Sequence, residues 1–241
     1  MKRMILVVGV VAATLLSVSS ASAAGLNLKW QNCAGDGGTN NRTSACTSNL
    51  GSAGTLVASF QLDGADVPGI SGLEILIDFV SADATMPAWW NTTCRNFLSA
   101  NPTINPSAVN CFDWANGAAA GGLAGGFVIN DRTGRGPNTA RVLIGYAVAS
   151  NNLQTVPANF EMFVSNVLIS NVSTTTCTGC ATPMCIAFVN LRAAQGINTG
   201  YILNTAQTAG SNTVTWQGSG ADCSLTPTRN STWSSVKSLY R

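Results

Sequence analysis

The chain has 241 residues, of which 46% are hydrophobic and 9% charged, with 12 Lys plus Arg against 10 Asp plus Glu and no histidine. So small a charge fraction excludes the concentrated basic surface that nucleic acid needs and argues against electrostatic docking on a membrane. The missing histidine excludes Ser-His-Asp and Cys-His catalysis and His-ligated metals.

Lys2 and Arg3, the apolar run Met4 to Leu16 and the small-residue stretch ending Ala21-Ser22-Ala23 form a secretory signal over residues 1–24. The apolar run is shorter than the roughly 20 residues of a membrane-spanning helix. The mature protein is thus expected outside the cytoplasm, secreted or periplasmic, with no later segment able to span a bilayer. Without Lys2 and Arg3 its acidic and basic residues balance, so Asn, Thr, Ser and Gly must supply its solubility. Such a surface suits neutral partners: glycans, or other protein surfaces.

Residues 25–226 read as one β domain. Leu26, Leu28 and Trp30 share a strand face. Leu56, Ala58, Phe60 and Leu62 line a second strand, and Leu73, Ile75, Ile77 and Phe79 a third, with Glu74 and Asp78 turned outward. Phe127 to Asn130 and Ala140 to Ala149 flank a turn carrying Arg132, Arg135 and, beside it, Arg141. Phe160 to Ile169, Ile186 to Leu191, Tyr201 to Leu203 and Thr213 to Trp216 complete the pattern. Period-two alternation rich in β-branched and aromatic residues, with Gly, Asn, Pro and Ser between segments, predicts an antiparallel β-sandwich. Residues 85–126 interrupt the rhythm as an insertion, with a short helix expected near Arg95 to Ala100 and a flexible run from Gly117 to Gly126. In the tail, residues 227–241, Trp233, Val236, Leu239 and Tyr240 fall at helical spacing behind the capping residues Asn230 to Thr232.

Ser59-Phe60-Gln61-Leu62, a short turn and then Gly69 to Phe79 resemble the opening hairpin of cohesin-type sandwiches, which place a Gly-Ile turn before a strand of alternating apolar residues. The resemblance implies a cohesin-like or immunoglobulin-like fold. The cysteines and the long insertion depart from that pattern, so the dockerin-binding role is not carried over. The tail, with Pro227 to Trp233 and Lys237 to Arg241, is similar to the ends of uncharacterised secreted bacterial proteins.

All eight cysteines lie after the signal, and an oxidising compartment makes them disulfides. Cys33 with Cys46 and Cys94 with Cys111 are the natural local pairs, each closing a loop worth about 3 kcal/mol in the chain-entropy picture. Cys177, Cys180, Cys185 and Cys223 form a second group of undetermined pairing; its spacing also suits zinc, and Cys177-x-x-Cys180 a redox pair. Among carboxylates, Glu74 and Asp78 would stand about 13 Å apart along a strand, beyond the roughly 5–9.5 Å of glycosidase pairs, and the other glutamate is Glu161. No catalytic residues or obligatory cofactor are expected. Asp63 and Asp66 in one loop, and Asp36 with Asn40 in another, have the chemistry for calcium or for ordinary Asx turns.

Trp89, Trp90 and Trp114 in the insertion either pack in the core or form an aromatic platform for a glycan or a surface protein. The expectation is therefore a secreted, non-catalytic binding module. A self-associating envelope protein is the alternative, and a hydrolase the third reading.

Overall fold

In the computed structural model the described residues are 25–105, 107–130, 136–196, 199–203, 211–218, 220–221 and 223. The expected signal (residues 1–24), Arg132, Arg135 and the tail helix lie outside them.

The alternating segments form thirteen strands among the described residues: β1 Gly25–Trp30, β2 Asn41–Arg42, β3 Ser52–Gln61, β4 Val67–Ser81, β5 Leu98–Asn101, β6 Cys111–Asp113, β7 Ala120–Ile129, β8 Thr139–Ala147, β9 Gln154–Val156, β10 Glu161–Ser170, β11 Met184–Gln195, β12 Thr199–Leu203 and β13 Thr213–Trp216. They build two sheets. The smaller runs β1-β3-β10-β5, with β6 also on β10. The larger runs β2-β13-β11-β4-β8-β7, with β12 on β11 and β9 on β4. Nearly all pairings are antiparallel; β6 with β10 and β2 with β13 are parallel. The fold is an all-β sandwich.

The inward residues are those the alternation selects. Leu26, Leu28, Trp30, Leu56, Ala58 and Phe60 from the smaller sheet meet Leu73, Ile75, Ile77, Phe79, Val142, Ile144, Ile186 and Phe188 from the larger. Each fully buried Leu, Ile or Phe contributes about 1.5–3 kcal/mol. Polar ties also cross the core. The Tyr146 and Ser165 hydroxyls lie 2.7 Å apart, and Trp30 Nε1 donates to Thr215 O at 3.0 Å.

The residues 85–126 are built into both sheets. The stretch expected to be helical supplies β5, which pairs with Asn166–Ile169 of β10. The expected flexible Gly-rich run is largely β7, laid along β8 from Ala120↔Ala147 to Ile129↔Ala140. Backbone pairing overrides the weak strand propensity of its Gly and Ala residues, and a register shift between Leu123 and Phe127 absorbs the surplus ones.

The cysteine pairing differs from the local one. The bridges are Cys33–Cys111, Cys46–Cys180, Cys94–Cys177 and Cys185–Cys223. The Ala34–Asp36 turn folds Cys33 over the outer face of the smaller sheet, where β6 delivers Cys111. Cys46 and Cys94 instead reach the loop before β11. No thiolate is left to hold zinc or cycle as a redox pair, since all eight cysteines are bridged.

Candidate functional site

The three tryptophans, read as either core packing or a platform, are interior. Trp89, Trp90 and Trp114 are 5%, 0% and 2% exposed. Pro87 opens a 3-10 turn over Ala88–Trp90 that drives both adjacent indoles inward. Trp89 stacks on Trp216 with centroids 5.2 Å apart, and Trp90 meets Phe79, Phe97 and Trp216 at 5.6–5.9 Å. Arg95 closes this cluster. Its Nε donates to Trp89 O at 2.8 Å and its Nη1 to Ser170 O. Burial pushes its guanidinium down to about 10, so it is still charged at neutral pH. The aromatic set is therefore a packing device: these rings present no face to a ligand in this conformation.

The carboxylates also separate into individual roles. Asp78, expected to be turned outward, is nonetheless buried, because Arg141 of β8 stands opposite it in register and covers it. Arg141 Nε and Nη2 donate to Asp78 Oδ1 and Oδ2 at 2.7 and 3.1 Å. Arg141 is thus a strand residue and not part of a solvated turn. Glu161 lies on the other sheet, 3% exposed. It accepts from Ala34 N at 2.9 Å, Gly35 N at 2.7 Å and Ser59 Oγ at 2.5 Å. Beside it, burial lowers the pKa of Lys29, and the Glu161 charge partly opposes that shift. Asp66 Oδ1 accepts from Ala158 N at 2.8 Å. Asp36 takes Val109 N, Asn110 N and Asn110 Nδ2. Asp63 is exposed in the loop before β4. One group of metal-capable side chains comes together among the described residues, Cys33, Cys111 and Glu161. Its two sulfurs are bonded to each other, which leaves a single carboxylate.

What alternation did not single out is a trough on the outer face of the larger sheet, about 490 Å³ in volume. Registers explain it. Arg192, Glu74 and Gly145 form one row across β11, β4 and β8. Ala194, Gly72, Ala147 and Ala120 form the next, which extends onto β7. Small residues make the floor, while Glu74, Arg192 and Ser71 supply charged and polar groups at its side.

The floor glycines have different causes. At Gly72 a Cβ would meet Tyr146 O at 2.7 Å, so neighbouring backbone demands glycine there. At Gly145 the nearest heavy atom to a Cβ is Ala124 Cβ at 4.0 Å, which is ordinary contact. Its φ does not lie in the left-handed range. A glycine inside a strand weakens it and often marks close approach by a ligand or another backbone. Gly145 is therefore small with no internal reason. An isolated glycine was the available sequence signal, but it carries meaning only once its outward direction is known.

No family model matches the chain, and no curated protein matches it either. Among solved structures it is similar to a cohesin module from the Clostridium perfringens ATCC13124 family 33 glycoside hydrolase. The identity is 10% and the TM-score 0.37, over 80% of this chain and 98% of that one.

Proposed function

We propose that the protein is a secreted, non-catalytic binding module whose ligand, a neutral glycan chain, lies in the outer trough of the larger sheet. The observation that carries this reading is Gly145: a central-strand position left bare although a Cβ there would make only ordinary contact. A floor without side chains admits a flat ring close to the backbone, and Glu74 offers an acceptor and Arg192 donors to hydroxyl groups. The near-balance of charge in the chain fits a neutral ligand.

Gly145→Val tests the reading, because it fills the floor while raising strand propensity. On a glycan array the wild type is expected to retain a neutral polysaccharide, and the variant to lose it with unchanged melting. No retention by the wild type, or equal retention by a folded Gly145→Val protein, would overturn the proposal.

Self-association is the second reading. It is favoured by β7, which pairs only with β8 among the described residues and carries exposed Leu123 and Val128. A monomer at all concentrations in analytical ultracentrifugation would exclude it.

A further inference from the structure

Lys29 and Asn40 are directly opposed. Trp30 and Thr39 form an isolated antiparallel bridge with both of its hydrogen bonds, Trp30 N to Thr39 O at 2.9 Å and Thr39 N to Trp30 O at 3.2 Å. The next pair outward is Lys29 with Asn40, on strand and loop segments whose facing side chains share one side. Lys29 Nζ is 2.5 Å from Asn40 Oδ1. Lys29 is 8% exposed, and its stem is clasped so closely that a Cβ on Gly38 would come within 2.6 Å of Lys29 Cβ. The loop that carries Asn40 is fixed at several points. Cys33 is bridged to Cys111, Ala34 N and Gly35 N are held by Glu161, and Asn40 O accepts from Thr215 N at 2.8 Å.

From this arrangement we propose that Lys29 and Asn40 form an intramolecular isopeptide bond. The neutral Lys29 amine attacks Asn40 Cγ. An Nζ–Cγ bond forms, the Cγ–Nδ2 bond breaks, and ammonia leaves. The proton lost by Nζ ends on the departing nitrogen, so no oxidant, reductant or cofactor enters.

The surroundings match these needs. Burial favours the uncharged amine, the nucleophilic form of lysine. A fixed pair reacts with the advantage of proximity, which converts a sluggish amide exchange into a first-order step. Asn40 is exposed, which gives the ammonia a route to solvent. The bond would tie β1 of the smaller sheet to the residue preceding β2 of the larger, a covalent staple between the layers besides the disulfides.

Mass spectrometry of the full-length expressed protein, reduced and digested, tests this. The expected result is a branched peptide joining Lys29 to Asn40, lighter than its two linear parts by one ammonia and uncut after Lys29. Lys29→Arg and Asn40→Ala each abolish it. Linear peptides alone, with complete cleavage after Lys29, would overturn the proposal.

Discussion

The Arg95 guanidinium lies 3.6 Å above the centroid of the Trp89 ring, and 5.1 Å from that of Phe97. A buried cation is thus held by aromatic faces and main-chain carbonyls. Such an arrangement is sensitive to shape, because lysine offers neither the planar fork nor the stacking surface of arginine. Arg95→Ala is expected to cost about 3 kcal/mol, read as a lower urea midpoint with unchanged slope. Arg95→Lys should recover only part of it. A midpoint unmoved by Arg95→Ala would show that the contact adds nothing.

The tryptophans make an opposing pair of expectations. Trp90 is wholly buried among Phe79, Phe97 and Trp216, so Trp90→Ala opens a cavity and should cost about 3–5 kcal/mol. Trp90→Phe should cost less than half as much. Thermal melting distinguishes these outcomes from a surface role, in which both variants would melt with the wild type.

The bridges are checked by peptide mapping without reduction. The expected cross-linked fragments join Cys33 to Cys111, Cys46 to Cys180, Cys94 to Cys177 and Cys185 to Cys223. Replacing both Cys33 and Cys111 by alanine should lower stability by about 4 kcal/mol on the chain-entropy account of so long a loop. Fragments joining Cys33 to Cys46 would contradict the arrangement.

Tyr146 gives a pH dependence. Burial raises its phenol to about 12, and its hydrogen bond with Ser165 partly opposes the shift. The unfolded phenol titrates near ~10. Between those values the folded state binds more protons, so this contribution is complete below about 10 and is lost as pH rises toward about 12. Alkaline absorbance titration should show one delayed phenolate step, missing in Tyr146→Phe. Simultaneous ionisation of all the tyrosines near their ordinary value would refute it.

Where one residue in two had to be apolar, the chain declared its structure openly. Thr213 to Trp216 was read from alternation and is β13, and Leu73 to Val80 lies within the longer β4. β7 was hidden because its Ala and Gly residues carry no such pattern; β8 provides the pairing that makes it a strand. For Asp78, alternation gives the side of the sheet, not what covers that side. Arg141 does the covering from a separate strand. For the same reason the trough was invisible: Gly72 and Gly145 look alike in sequence and differ only in what stands beside them. Cysteine spacing misled because short loops are the cheapest to close, whereas the sheets bring together cysteines that are far apart.

That last feature bears on how the protein can be made. Each bridge spans at least 38 residues, and only Cys185–Cys223 joins two cysteines that are consecutive along the chain. Thiols oxidised in order of their emergence would join Cys33 to Cys46 and Cys94 to Cys111, four half-bridges that must all be undone. The mature set requires β6 and the loop before β11 to be docked before their sulfurs are committed. Production will therefore depend on thiol–disulfide exchange as much as on oxidation. A host that supplies an oxidant without an isomerase will fill with chains that are fully oxidised and wrongly tied.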